Sequence, residues 1–328
     1  MSGDTEGTPS MQGSQRPPRA NFFLVGAPKA GTTSVDRLLR RHPEVFLSPI
    51  KEPCHFCPDV NEQIAPSLHR KDRIDLQAYL ASPVREVVHL AHVASASDYA
   101  RLFEGAGASK LVGECSTYYL SSQAAPRHIR DYNPEAKILA LVRDPLERIR
   151  SHYAMDRSLG VATRPLLELV EEELALGDRA HWGNCRYYVG ASRYARQLAE
   201  YRRHFADEQI CVLSFEDLIA DPDRTLRRLF SFLDLAAPAG PLALPLENKS
   251  RGVRFPRLHH GLRESGLKPI VAGMLKSATG TRLGRMARSV YYRDKAQVAS
   301  AEELHRVGLL LREEGLDVAV AQVDVEAA

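Results

Sequence analysis

Short apolar runs alternate along this chain with stretches of helical period. Phe22-Phe23-Leu24-Val25 is an apolar run of strand type that stops at Gly26. A loop holding Pro28, Lys29 and Gly31 follows, and then Val35, Leu38 and Leu39 recur at helical spacing until His42-Pro43. Further strands are predicted at 45–47, running into a turn by Pro53, and at 111–114, 137–142 and 210–215. Helices are predicted over 98–103, 122–132, 187–205 and from Asp144-Pro145 through Tyr153 to about Arg157. Another runs from Asp221-Pro222 through Leu233, and the capping box of Ser300 and Glu303 opens one that Gly315 stops. Residues 166–176 form an acidic amphipathic helix, read as a solvated outer face. Pro58, Pro66 and Pro83 interrupt 58–97, which is expected to hold loops and short helices of a substrate-facing lid.

This alternation implies βαβ units and a mainly parallel sheet flanked by helices, a three-layer α/β fold. Ligands in such folds bind at the carboxyl ends of the strands, where Lys29, Glu52, Ser116 and Arg143 all fall. Residues 1–20, rich in Ser, Gly, Pro, Gln and Thr, are expected to be a disordered tail. Residues 21–328 are expected to form one domain, long enough to bury a full core.

Composition adds little, and charge adds one feature. A formal net charge of +3 implies no polyanion partner, and no nucleic acid is expected. The charge is uneven: between Lys249 and Lys295 twelve Lys/Arg face only Glu264 and Asp294. The 257–295 part of this stretch, with Arg282, Arg285 and Arg288 among apolar residues, could touch an acidic acceptor or a membrane surface. The five cysteines are an odd, scattered set, read as free thiols; the lone Cys54-x-x-Cys57 lacks the second pair that a zinc site needs. No apolar run reaches the ~20 residues that span a bilayer, no signal peptide opens the chain, and a cytoplasmic location is expected.

The chemistry starts at the first loop. A strand, a glycine loop and a helix start make an anion cradle, because free N–H groups and the helix dipole favour negative charge there. Lys29 adds a cation, and Thr32 and Thr33 add hydroxyls. The order is not that of a Walker A loop, since Thr32 follows Gly31 where lysine is required. A second anion site is the strand–Arg143-Asp144-Pro145–helix junction, where Arg143 can fork onto a phosphate and Ser151 lies about two turns on. Asn248-Lys249-Ser250-Arg251-Gly252 is a basic, glycine-bearing loop suited to folding over an anion.

PKAGTTS after FFLVG resembles the 5′-phosphosulfate loop of sulfotransferases that use 3′-phosphoadenosine 5′-phosphosulfate (PAPS). ILALVRDPLERIRSHY looks like the 3′-phosphate stretch of the same family, and NKSRG like the late basic loop of its carbohydrate members. Residues 209–235 look like its strand–EDL–helix segment, read as scaffold. The resemblance covers about 21–255; 257–328 is poorly matched.

It implies a P-loop-like fold and PAPS as co-substrate without a required metal. Pro28, Lys29, Ala30, Gly31, Thr32, Thr33 and Ser34 would hold the 5′-phosphosulfate. Arg143, Ser151, Lys249, Arg251 and Gly252 would hold the 3′-phosphate. Lys51-Glu52-Pro53 resembles the family's Lys-Glu-Pro segment, which makes Glu52 the base and Lys29 the stabiliser of the leaving oxygen. Cys54 departs from that pattern before His55, which puts the role of His55 in doubt, and a histidine or Glu114 is a rival base. Lys51 is expected to act only weakly on Glu52, because adjacent side chains point apart. A small molecule, glycan or lipid would accept the sulfuryl group on a hydroxyl or amine. A P-loop kinase or NTPase, and a nucleotide-binding module without chemistry, are the competing readings; magnesium dependence and turnover separate them.

Overall fold

The computed structural model describes residues 18–64, 74–89, 91–244, 252–253, 292–293 and 299–316. Its centre is a five-stranded sheet of β1 (Phe22–Gly26), β2 (Val45–Leu47), β5 (Leu111–Cys115), β6 (Lys137–Val142) and β7 (Ile210–Ser214), in the order β2-β5-β1-β6-β7. Every pairing within it is parallel. This is a P-loop-like α/β architecture, with β1 in the middle of the sheet. Strands covered on both faces need unbroken apolar runs rather than alternation, and Phe22, Phe23, Leu24 and Val25 are all essentially buried.

Each parallel step requires a crossover, and the helices supply it. α1 (Thr32–Leu39) leaves the cradle, and two short helices, α2 (Pro58–Gln63) and α3 (Leu76–Ala81), fall in the proline-broken segment. They are followed by α4 (Ala96–Arg101), α5 (Ala125–Tyr132) and the longer α6 (Pro145–Leu159). Asp144 accepts the Glu147 amide as N-cap of α6, as its Asp-Pro start predicts. The proline-broken segment also contains a strand that its pattern does not show. β4 (Val88–His89) pairs in parallel with β3 (Ile50–Lys51), setting His89 opposite Lys51.

Two expectations fail here. The helix predicted over 187–205 is only α8 (Tyr194–Arg202), preceded by a 3₁₀ turn at Gly190–Ser192. Tyr187 has a φ of 53°, which no helix continues through. The amides of Tyr188, Val189 and Gly190 all donate to the Glu173 carboxylate instead, at 2.6–3.1 Å. That carboxylate is on α7 (Leu166–Leu176), so the helix is not simply a solvated face: Glu173 is 3% exposed. A buried carboxylate satisfied by three N–H donors fixes the 187–193 bend where a helical pattern reads straight on.

The last elements are α9 (Phe215–Ala220), α10 (Pro222–Phe232) and α11 (Ala301–Glu313). α11 starts with the predicted Ser300–Glu303 capping box. Val307 and Leu311 from α11 join Ile149, Tyr153, Leu166, Val170 and Tyr188 in a second apolar cluster beside the sheet core. A small antiparallel pair, β8 (Gly252–Val253) with β9 (Tyr292–Arg293), lies against α6. Among the described residues no helix is long and apolar enough to cross a membrane.

Candidate functional site

The loop after β1 turns back through left-handed conformations at Lys29 (φ 71°) and Gly31 (φ 89°). Gly31 is required for a second reason, since a Cβ there would lie 2.8 Å from the Phe215 ring. α1 then begins without a side-chain cap and without an acidic residue in its first turn. Its N-terminal amides and dipole are therefore left to an outside anion. Thr32 and Ser34 are buried, while Pro28, Lys29, Gly31 and Thr33 remain partly exposed. Ala30 is buried and seats the loop on the core.

The loop is held open from beneath by two arginines. Arg143, directly after β6, donates to the Lys29 carbonyl at 3.1 Å and lies over the Phe215 ring at 4.5 Å. Its Nε is buried with no hydrogen-bond partner among the described residues. Arg148, one turn into α6, is fully buried. It donates to Ser192 Oγ at 2.7 Å and to the Tyr188 carbonyl, and reaches the Pro28 carbonyl at 3.5 Å. Sequence reading missed Arg148, although its place on the inner face of α6 is a signal, because arginine is rarely buried without a task. Phe215, read only as scaffold, is the packing partner of both Gly31 and Arg143.

Lys29 Nζ rests on Met155 Sδ at 3.7 Å. Burial lowers its pKa and Arg143 and Arg148 push the same way, while Asp156 on α6 opposes them. Ser151 is partly exposed on the same helix. Gly252 lies on β8, against α6, and Lys249 and Arg251 fall outside the described residues.

Glu52 follows β3 with a φ of 66°, and its amide donates to the Cys115 carbonyl at 2.8 Å. That conformation overturns the expected separation of Lys51 from Glu52. Lys51 Nζ sits 3.0 Å from Glu52 Oε1, His89 Nε2 lies 3.4 Å from the same oxygen, and Thr117 donates to Oε2 at 2.9 Å. Burial alone would raise the Glu52 pKa, but the Lys51 ammonium beside it, the largest opposing influence, holds the carboxyl well below the usual range. Positive φ at both Glu52 and Cys54 marks the kind of constrained segment found at functional sites. Glu52 adds a small favourable influence on the charge of Lys29.

The other candidate bases are differently placed. The Glu114 carboxylate is 1% exposed and takes hydroxyl bonds from Tyr99 (3.1 Å), Tyr119 (2.6 Å) and Ser116 (2.6 Å). His55 stacks on Tyr99 at 4.3 Å and its Nδ1 lies 2.8 Å from the Val93 carbonyl. His89, in the segment hardest to read from sequence, is the histidine that meets Glu52. Beyond Thr117, Tyr118 packs edge-on against Trp182 at 4.8 Å. Trp182 opens a cleft of about 530 Å³ whose walls include Ser121, Arg127, Arg179 and Tyr187.

Burial pushes the Glu114 pKa from 4.5 up to about 7, against the pull of its three hydroxyl donors. A folded state that keeps this proton loses stability as pH rises from about 4.5 to about 7, because the unfolded chain releases it earlier. Glu114→Gln, which cannot ionise, should therefore gain about 2–3 kcal/mol relative to wild type between pH 5 and pH 8. Urea unfolding at the two pH values measures this, and a difference independent of pH would contradict it.

The geometry agrees with what the chain is similar to. The family model described as "Sulfotransferase family" matches residues 21–239. Carbohydrate sulfotransferase 15 of Rattus norvegicus is 27% identical over 254 residues, covering 68% of this chain and 44% of that protein. Heparan sulfate glucosamine 3-O-sulfotransferase 3B1 of Homo sapiens is 28% identical over 169 residues, covering 51% of this chain and 41% of that one. The chain thus spans less than half the length of either relative. A sulfotransferase crystal structure from Alicyclobacillus acidocaldarius superposes with a TM-score of 0.55 at 26% identity, covering 78% of this chain and 96% of that one. The matched segment begins just before β1, runs past α10 and takes in well over half of the 328 residues, so the chain belongs to the sulfotransferase family.

Proposed function

We propose that this protein transfers the sulfuryl group of PAPS to a hydroxyl, or an amine, of a glycan. The observation that carries the reading is the loop 28–34, an uncapped helix start that two arginines hold by its carbonyls. The residues suit the donor. The 5′-phosphosulfate fits the α1 N-terminus with Lys29, Thr32, Thr33 and Ser34. The 3′-phosphate fits Arg143, whose buried Nε has no partner among the described residues; Ser151 and, by the resemblance, Lys249, Arg251 and Gly252 would complete its site.

The acceptor oxygen attacks sulfur in line and opposite the leaving phosphate, giving its proton to Glu52. Lys29 stabilises the charge that builds on the bridging oxygen, and Asp156 opposes the lowering of its pKa by burial. A sulfuryl group carries less negative charge than a phosphoryl group, so no divalent metal has to bridge it, unlike the phosphates in P-loop kinases. The cleft beyond Tyr118 supports a glycan as acceptor. Trp182 and Tyr187 bring aromatic rings for sugar C–H groups, and Asp59, Arg127, Asp178 and Arg179 bring polar groups for sugar hydroxyls. The relatives named for carbohydrate and heparan sulfate point to the same class.

Incubation with sulfur-labelled PAPS and desulfated heparan sulfate tests the reading directly, and label should pass to the polymer. Glu52→Gln keeps shape and polarity but removes the proton acceptor, so turnover should fall ~10²–10⁴-fold. Affinity for adenosine 3′,5′-bisphosphate should stay within a few-fold. A variant that keeps more than about a third of wild-type turnover, with chemistry rate-limiting, would remove Glu52 as base.

Arg143→Ala removes a charge-assisted contact of typically ~1.5–3 kcal/mol. The PAPS Michaelis constant should rise roughly ten- to a hundred-fold. Affinity for the analogue lacking the 3′-phosphate should fall less, since it loses only the support that Arg143 gives the Lys29 carbonyl, so discrimination between the two collapses. Retained discrimination would place the 3′-phosphate elsewhere.

A further inference from the structure

The Glu52 carboxylate is nearly enclosed, being 7% exposed as a residue. Three side chains touch it among the described residues. Lys51 is an ammonium: burial opposes the charge, but the carboxylates of Glu52 and Asp36 help push its pKa above the ordinary range. Thr117 spends its hydroxyl proton on Oε2. A proton arriving on Glu52 can go to neither, since an ammonium has no lone pair and a hydroxyl is a very weak base. The third neighbour, His89, carries a basic ring nitrogen 3.4 Å from Oε1, and its side chain is 62% exposed. The β3–β4 pairing sets it there by register, opposite Lys51 and one residue before Glu52 along the strand.

We propose that His89 is a proton relay for Glu52, moving to water the proton that the acceptor gives up. This rests on the sulfuryl-transfer reading above and extends it. The acceptor O–H proton passes to the carboxylate as the O–S bond forms and the S–O bond to the leaving phosphate breaks. The lone pair on neutral His89 Nε2 then takes that proton from Oε1, giving an imidazolium and restoring the carboxylate. The imidazolium releases a proton to solvent, which resets the ring. The arrangement resolves a conflict at the site. A carboxylate stabilised by Lys51 is always ionised but retains a proton weakly, and an adjacent acceptor lets it serve as a conduit instead of a store. The groups that set the field around this path are Lys51 on β3, Glu52, Lys29 of the cradle, Asp36 on α1 and Glu114 on β5.

The test uses the full chain, labelled PAPS and desulfated heparan sulfate. His89→Ala should lower turnover about ten- to a hundred-fold while affinity for adenosine 3′,5′-bisphosphate stays within two-fold. Added imidazole should restore the rate in proportion to its neutral form, because the vacated position is open to solvent. His89→Asn, which keeps a polar contact to Glu52 but lacks a titrating nitrogen, should show the same loss at an unchanged melting temperature. Turnover of His89→Ala within three-fold of wild type would overturn the relay. A loss that imidazole does not repair would also overturn it, making His89 a support for the Glu52 conformation. Absence of transfer by the wild-type protein would instead overturn the reading on which the relay rests, leaving the two failures distinguishable.

Discussion

The anion loop depends on the capture of its carbonyls by two guanidinium groups, one fully and one partly buried. A loop whose N–H groups face outward must turn its C=O groups inward, where each needs a donor. Arg143 serves Lys29 and Arg148 reaches Pro28. The cradle is thus positively charged twice over, by its own amides and helix start in front and by two arginines behind. Burying Arg148 completely is costly unless its donors are used. Ser192, the Tyr188 carbonyl and the Glu173-anchored bend at 188–190 make that use available. The bend interrupts a helical pattern because the arginine beneath the cradle needs a carbonyl there.

Opposite charges are distributed so that each cation keeps a neighbour. Asp156 favours the charge of Lys29, and Asp36 and Glu52 favour that of Lys51. Low dielectric strengthens these interactions as it raises the cost of leaving any one unpaired. Two buried carboxylates receive opposite treatment. Glu52 sits beside an ammonium and is held ionised, whereas burial pushes Glu114 up to about 7 against the pull of its hydroxyl donors. Environment, not residue type, separates the two.

The sheet was legible because central parallel strands are continuous apolar runs, and 22–25 and 137–142 could hardly be anything else. The Asp-Pro starts and the Ser300–Glu303 box were legible because capping is local chemistry. The cradle was legible because its residues are contiguous. What escaped reading depends on contacts distant in sequence. Glu173 reaches forward to 188–190, Phe215 crosses to Gly31 and Arg143, and His89 meets Glu52 through a strand pair of two residues. A two-residue strand carries no periodicity, so no pattern could have announced it. Lys51 and Glu52 were misjudged because adjacency predicts divergence only while φ is negative, and Glu52 has a φ of 66°.

The central claim is that the loop with lysine before its second glycine, held from behind by Arg143 and Arg148, is built for a 3′-phosphorylated adenosine donor and not for a metal-bridged triphosphate. Titration calorimetry in excess EDTA measures it most directly. Adenosine 3′,5′-bisphosphate should bind tightly without metal, and ATP should bind poorly whether or not magnesium is supplied. ATP binding of equal strength that appears only with magnesium would contradict the account.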